Sequence, residues 1–248
     1  MHPSTRCLVA LALAAACGPS VVDHDKPGDV DGGPSGDGAL SETCGALATV
    51  VRDFRADFPD MKGIAGDDRG VVATQIGSDQ TPVYAPSNGT LTVTSKVTFD
   101  QWYRDVDGVN QRFELPMTLT ETPPGSGTYV FDNQAYFPVD GMGWGDPASD
   151  GLTFYVTTEI HSTFHYLGAE HFTFVGDDDV WVFVNGKLAI DLGGVHSAET
   201  EAIDFDAQAA QLGLVVGAVY PLDIFQAERH PTGSTFRIET SINCLVIE

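Results

Sequence analysis

The chain has 248 residues, 42% of them hydrophobic, which is enough for one sizeable all-β domain with appendages. Its 35 acidic residues against 12 basic ones give a formal net charge of -23. This balance excludes a typical nucleic-acid-binding protein, because such proteins neutralise phosphates with lysine and arginine. It suits a protein that binds hard cations or neutral ligands, or one that must stay soluble outside the cell.

The first 16 residues are predicted to be a secretory signal peptide, because Arg6 precedes an apolar run from Leu8 to Ala16 that ends in small residues. This run is too short to span a membrane. The ending LAAAC resembles a bacterial lipoprotein signal, in which cleavage leaves an acylated cysteine, here Cys17. Cleavage without a lipid is the alternative. We therefore expect a bacterial cell-envelope lipoprotein at the outer membrane or cell surface, or a secreted protein if no lipid is attached.

Residues 17–43 are rich in Gly, Pro, Ser and Asp, which predicts a disordered acidic tether. Residues 44–248 are the predicted folded domain. Once the signal peptide is removed and Cys17 is lipidated, Cys44 and Cys244 remain, and they bracket this domain. We expect them to form a disulfide in an oxidising compartment, with two unpaired core thiols as the alternative.

Short β-like runs separated by turn signals follow Cys44, among them TLTVTSKVTF, LTFYVTTEIHSTFHYL and TFRIETSINCLVI. They predict a single antiparallel β-sandwich or barrel with short accessory helices. Apolar residues at helical spacing favour a helix in GALATVVRDFRADF, and AIDFDAQAAQLGL is long enough for a helical turn or two. No spanning helix or fixed-period repeat is evident.

The segment VWVFVNGKLAIDL is predicted to form a β-hairpin, because Asn-Gly at 185–186 favours a two-residue type I′ turn. That turn would pair Val184 with Lys187 and, by regular counting, Val180 with Asp191. The same register would bury one face made of Trp181, Phe183, Leu188 and Ile190.

Three aspartates, Asp177, Asp178 and Asp179, stand directly before this hairpin. Strand alternation would put Asp178 on the face that Asp191 occupies, so several carboxylates would converge. Crowded carboxylates repel one another, and a bound cation removes the conflict. Calcium is the best-matched metal, because it accepts about six to eight oxygen ligands in irregular geometry. A solvated turn that caps the strand edge is the alternative.

The sequence GDDDVWVFVNGKLAIDLGGVH closely resembles the signature of the fibro-slime domain, a branch of the anthrax protective-antigen-type, lectin-like β-barrel superfamily of surface and matrix proteins. The resemblance continues through GTYVFDNQAYFPVDGMGWGD and YPLDIFQAERHPTGSTFRIETSI and covers most of the chain from Val51 to Ile242. In lectin-like members an Asp-Asp pair joined by a cis peptide holds calcium, which binds sugar hydroxyls. The resemblance implies that Asp177 and Asp178 are this pair.

The resemblance also implies a second ligand loop, ERHPTGS, which offers Glu228, Arg229 and His230. This loop is not the asparagine-bearing loop of the sugar-binding relatives, so the sugar specificity of those relatives is not carried over. His196 follows two glycines and is a candidate to orient a ligand, with a plain turn as the alternative. Trp144 lies in the glycine-rich loop VDGMGWGD and is a candidate to stack on a sugar.

Together these features predict a surface-anchored, non-enzymatic and monomeric binding module. It would recognise carbohydrate or extracellular matrix with the help of calcium, and a lipid would be its only contact with the membrane. One alternative is a structural or protein-interaction module that does not bind sugar. A glycan-cleaving enzyme is less favoured, because its two acids must flank the substrate about 5 to 10 Å apart and contiguous aspartates suit a metal better.

Overall fold

The computed structural model describes residues 45–61, 64–145, 151–231 and 233–247. The predicted signal peptide and tether, with Cys17 and Cys44, lie outside these residues. Cys244 is disulfide-bonded, and its pairing with Cys44 stays a prediction. No helix in the described ranges has the length and apolarity needed to cross a membrane.

The described residues are mostly β-structure, as predicted. The strands are β1 (Ala46–Phe54), β2 (Gly66–Asp67), β3 (Asn110–Thr118), β4 (Thr120–Glu121), β5 (Tyr129–Asn133), β6 (Val156–His165), β7 (His171–Gly176), β8 (Asp179–Val184), β9 (Lys187–Leu192), β10 (Gly194–Val195), β11 (Glu199–Asp204), β12 (Val219–Glu228), β13 (Phe236–Thr240) and β14 (Leu245–Ile247). Two helices accompany them, α1 (Lys96–Phe99) and α2 (Phe205–Leu212).

The strands form two main sheets and one small sheet. The larger sheet has the order β3-β1-β6-β12-β8-β9, with β14 also paired to β6. The second sheet has the order β11-β7-β13-β5-β4, and β2 pairs with β10 alone. The paired strands of all three sheets run antiparallel. This confirms the predicted antiparallel all-β fold.

The two larger of the three apolar clusters among the described residues lie on opposite faces of the larger sheet. The main core fills the space between the two large sheets, where Ile160 and Leu222 of the larger sheet join Phe172 and Phe236 of the other. The second core lies under the segment 55–110. There, side chains from the segment pack on side chains from the larger sheet, and the central members are Phe99, Trp102, Trp181 and Phe225.

The predicted helix at the start of the domain is wrong, because residues 46–54 form the strand β1 between β3 and β6. Leu47 faces the main core and Phe54 faces the second core. The strand is buried on both faces only from Val51 to Phe54, and there it loses the alternation of apolar and polar residues that identifies a half-buried strand. The second predicted helix is confirmed as α2, which has the N-cap Asp204 and the left-handed C-cap Gly213.

The run TLTVTSKVTF is not a strand. Its last residues form α1, which begins after the N-cap Ser95. The hydroxyl of Ser95 accepts a hydrogen bond from the Thr98 backbone, and the Thr98 side chain accepts one from the Ser95 backbone. This capping box was present in the sequence, but β-branched residues around it favoured the strand prediction.

The predicted turn of the β8–β9 hairpin is confirmed, since Asn185 and Gly186 have φ angles of 51° and 71°. The predicted register fails beyond Phe183. A bulge between Val182 and Phe183 shifts the ladder by one residue, so Trp181 rather than Val180 lies opposite Asp191. The predicted face is therefore divided: Ile190 joins the main core, whereas Trp181, Phe183 and Leu188 face the second core.

Candidate functional site: a carboxylate cavity

A cavity of about 250 Å³ opens where β7 passes into β8, beside β10 and the end of β12. We call it the carboxylate cavity, and five predicted site residues line it: Asp177, Asp178, His196, Glu228 and His230. The sequence did not indicate its other lining residues, which include Ala65, Val195, Ser197 and Ala198. The structure thus brings together the aspartate turn and the ERHPTGS loop, which are about 50 residues apart in the chain.

Asp178 is 2% exposed although it is ionisable. Its two carboxylate oxygens accept hydrogen bonds from the backbone N–H groups of His196 (3.1 Å) and Arg229 (3.0 Å). Burial and, next, the negative charge of Asp179 raise the pKa of Asp178 to about 7. The two backbone hydrogen bonds therefore fix the position of the Asp178 carboxyl group, but they do not offset the whole cost of burying its negative charge.

Asp177 lies at the rim of the same turn and is partly exposed. Its carboxylate accepts a hydrogen bond from the Thr235 N–H, and its carbonyl accepts one from the Gln226 amide at 3.0 Å. Burial raises the pKa of Asp177 as well. The cis peptide expected within the aspartate run is absent: among the described residues, the cis bond is Thr122–Pro123.

Glu228, the last residue of β12, is 1% exposed. Its Oε1 accepts a hydrogen bond from the His230 N–H at 3.1 Å. Its Oε2 is buried, and the nearby Ser234 hydroxyl tends to lower the pKa of the carboxyl. Burial, followed by the charges of Asp178 and Asp177, raises the pKa of Glu228 to about 10. Glu228 is therefore protonated at neutral pH. A buried carboxyl with a strongly raised pKa is uncommon and often marks a functional or ion-binding position.

Asp179 and Arg229 lie behind the cavity rather than in its wall. Both are fully buried, and Arg229 Nε donates to Asp179 Oδ2 at 2.6 Å. The other oxygen of Asp179 accepts a hydrogen bond from the Gly194 N–H at 2.8 Å. The Arg229 guanidinium also lies over the ring of Trp102, 4.8 Å from its centroid. These two predicted site residues therefore support the cavity from within the protein.

Two further predicted residues are not part of the cavity lining. The carboxylate of Asp191 accepts hydrogen bonds from Trp181 Nε1 (3.0 Å) and from the Gly70 N–H (2.8 Å). The bulge that pairs Asp191 with Trp181 explains this position. Trp144 donates its backbone N–H to Asp53, and Arg55 lies 5.5 Å from the centroid of its ring.

The described residues include no group of three or more His, Cys, Asp or Glu side chains already arranged to hold a metal ion. The carboxylates that share the carboxylate cavity are those of Asp177, Asp178 and Glu228, and the wall also holds the imidazoles of His196 and His230. Carboxylates are the ligands that a hard cation such as calcium prefers, whereas zinc prefers nitrogen and sulfur. The metal assignment stays a prediction.

A family model matches the part of the chain that contains the carboxylates of this site. Residues 155–247 match the PA14 domain family. The PA14 match runs from β6 to β14, so it contains every carboxylate of the cavity, whereas Ala65 lies before it. The narrower fibro-slime resemblance stays a prediction.

Two similar proteins come from Dictyostelium discoideum. The chain is 38% identical to Protein psiD over 217 residues, which cover 82% of this chain and 41% of psiD. It is 39% identical to Protein psiQ over 206 residues, which cover 78% of this chain and 20% of psiQ. The chain therefore spans less than half the length of these relatives.

Two solved PA14 domains are also similar in structure. One is the PA14 sugar-binding domain from an RTX adhesin, which is 9% identical and has a TM-score of 0.33, with coverage of 79% of this chain and 89% of that chain. The other is the PA14 domain of an antifreeze protein, which is 10% identical and has a TM-score of 0.30, with coverage of 49% of this chain and 71% of that chain.

Proposed function

We propose that this protein is a non-enzymatic, surface-anchored binding module that recognises carbohydrate or extracellular matrix through a calcium ion in the carboxylate cavity. The observation that carries the proposal is the convergence of three carboxyl groups, those of Asp177, Asp178 and the buried Glu228, on one cavity. The export signal and the lipid on Cys17 belong to the same proposal and rest on the sequence.

Asp177, Asp178 and Glu228 would hold the ion, with backbone carbonyls and water completing its ligand shell. Calcium would supply a positive charge that offsets the repulsion among the three carboxylates and would offer open positions to ligand hydroxyls. His230 lies in the same wall and would hydrogen-bond the ligand. Both ring nitrogens of His196 lie within hydrogen-bond distance of backbone carbonyls, of Ser197 (3.0 Å) and of Leu192 (3.1 Å), so His196 would shape the wall rather than bind the ligand. The PA14 match and the resemblance to lectin-like domains support carbohydrate as the ligand class.

The decisive test compares the full chain with its Glu228→Gln variant in excess calcium and in chelator. Glu228 is protonated at neutral pH without a cation, so replacing it with glutamine should change the metal-free melting temperature little. In calcium at about 100 times Kd, the wild type should gain about 2.7 kcal/mol, or roughly 5 to 10 °C. The variant should gain much less. Differential scanning calorimetry measures both values.

Glu201→Gln is the matched control, because Glu201 is exposed on β11 and does not line the cavity. It should keep the full calcium response. If Glu228→Gln responds as the wild type does, the ion binds elsewhere and this site is wrong. If the wild type itself is indifferent to both calcium and chelator, calcium dependence is wrong.

A further inference from the structure

A second cavity, of about 200 Å³, lies next to the carboxylate cavity. We call it the Leu91 cavity, and its wall includes Pro59, Asp60, Ile64, Thr90, Leu91 and Thr92. The boundary between the two cavities is one stretch of backbone, because Ile64 lines the Leu91 cavity and Ala65 lines the carboxylate cavity. Leu91 lies across this stretch: a Cβ placed on Gly66 would come within 2.3 Å of Leu91 Cδ2.

One buried side chain fixes the two cavities relative to each other. Arg229 Nη1 donates to the carbonyls of Thr92 (2.8 Å) and Asp60 (3.3 Å), which belong to the wall of the Leu91 cavity. The same residue donates its backbone N–H to Asp178, in the wall of the carboxylate cavity, and its Nε to Asp179. The distance between the cavities is therefore set before any ligand arrives, which lowers the entropic cost of binding a ligand that spans both.

The two cavities differ in chemistry. The carboxylate cavity presents acidic and imidazole groups, whereas the rim of the Leu91 cavity exposes two aliphatic side chains, Leu91 (57% exposed) and Ile64 (52% exposed). The Thr90 and Thr92 hydroxyls are already donated to Asp68. The Leu91 cavity therefore offers a ligand polar and apolar surface in about equal parts, and its apolar part includes the side chains of Leu91 and Ile64.

We propose that the Leu91 cavity is a second subsite of the same binding surface, and that it takes the adjoining unit of an oligosaccharide. Sugar rings combine hydroxyl edges with apolar C–H faces, and such a face suits Leu91 and Ile64. The module consequently selects chains over single sugars. This inference rests on the proposed function, because the terminal unit has to bind in the carboxylate cavity.

The test uses the full chain on a glycan array in excess calcium. Each bound glycan is then compared with its terminal monosaccharide and with the di- and trisaccharides that contain it, by isothermal titration calorimetry. The wild type should bind the disaccharide about tenfold more tightly than the monosaccharide, as expected for one added apolar contact. Leu91→Ser and Ile64→Ser should each lose most of this gain and keep the monosaccharide affinity and the calcium response.

Val97→Ser is the matched control, because Val97 is 71% exposed on α1 and lines neither cavity. It should keep the gain. If the wild type binds monosaccharides as tightly as longer fragments, or if both Leu91→Ser and Ile64→Ser keep the gain, the second subsite is wrong while the carboxylate site stands. If no glycan binds in calcium, carbohydrate recognition is wrong, and the subsite with it.

Discussion

At the scale of single residues, the pair Arg229–Asp179 determines how the carboxylate cavity is built. Both side chains are at most 1% exposed, so water does not reach either charge, and each charge is compensated by the opposite charge beside it. We expect Arg229→Met to destabilise the domain by about 3 to 5 kcal/mol, because it leaves Asp179 buried and uncompensated. Urea unfolding of the full chain measures the loss.

The double variant Arg229→Met with Asp179→Asn separates charge from packing. It removes the uncompensated charge, so it should be clearly more stable than Arg229→Met alone. Equal losses in the two variants would instead assign the cost to the hydrogen bonds that Arg229 makes with Asp60 and Thr92.

At this scale the sequence and its family resemblance named residues that the fold brings together, but not their surroundings. Asp177, Asp178, Glu228, His196 and His230 share one cavity: the aspartate run indicated the first two, and the family resemblance supplied Glu228 and His230. Arg229 was expected to offer donors to a ligand, but it is fully buried. Which of two adjacent side chains points outward depends on the strand face, and a single sequence does not fix that face where both sides are covered.

At the scale of elements, the short β2–β10 ladder borders the carboxylate cavity. Val195 of β10 and Ala65, the residue before β2, both line it. Gly194 makes this pairing possible, since its φ is +129° and a Cβ there would lie 2.3 Å from the Gly66 carbonyl oxygen. Gly194→Ala should therefore destabilise the domain by more than about 1 kcal/mol and weaken the calcium response by moving β2 away from β10. Urea unfolding and calorimetry measure the two effects.

Gly217→Ala provides the control for backbone strain in this comparison. Gly217 also has a positive φ, +89°, but a Cβ there would meet no atom within 4 Å. Gly217→Ala should lower the free energy of unfolding without changing the calcium response. If Gly194→Ala costs no more than Gly217→Ala, the close approach of the two strands does not constrain the cavity.

Secondary-structure elements could be predicted where residues close together in the sequence determine them. The Asn-Gly turn of the β8–β9 hairpin and the helix α2 follow from residues within one short segment. The bulge at Val182 and Phe183 does not, because it lets Ile190 enter the main core while Trp181 enters the second one. The position of the bulge depends on how the hairpin packs against both cores, and each core is built from distant segments of the chain.

At the scale of the whole molecule, a buried polar network crosses the larger sheet between β1, β6 and β12. His161 Nδ1 lies 2.7 Å from Asp223, and its Nε2 lies 2.8 Å from Glu159, which also pairs with Arg52. Its ring packs against Phe225, with centroids 5.7 Å apart. Glu159 is two residues from His161 on β6, but Asp223 comes from β12, so no single segment of the sequence reveals the network.

This network predicts how global stability depends on pH. Burial alone would lower the pKa of His161, but the hydrogen bonds to Asp223 and Glu159 outweigh it and raise the pKa from 6.5 to about 9. A folded-state pKa above the unfolded value means that the protonated ring stabilises the fold. The contribution, at most about 3 kcal/mol, should be complete below pH 6.5 and disappear as pH rises through about 9.

Urea unfolding at a series of pH values tests this, with wild type compared with His161→Asn, which stays neutral throughout. The stability difference between the two proteins should be largest at about pH 6 and shrink steadily towards about pH 10. Comparing the difference cancels titrations that both proteins share, including those of the cavity carboxylates. A difference that stays constant over this range would mean that folding leaves the pKa of His161 near 6.5, so that the network does not favour the protonated ring.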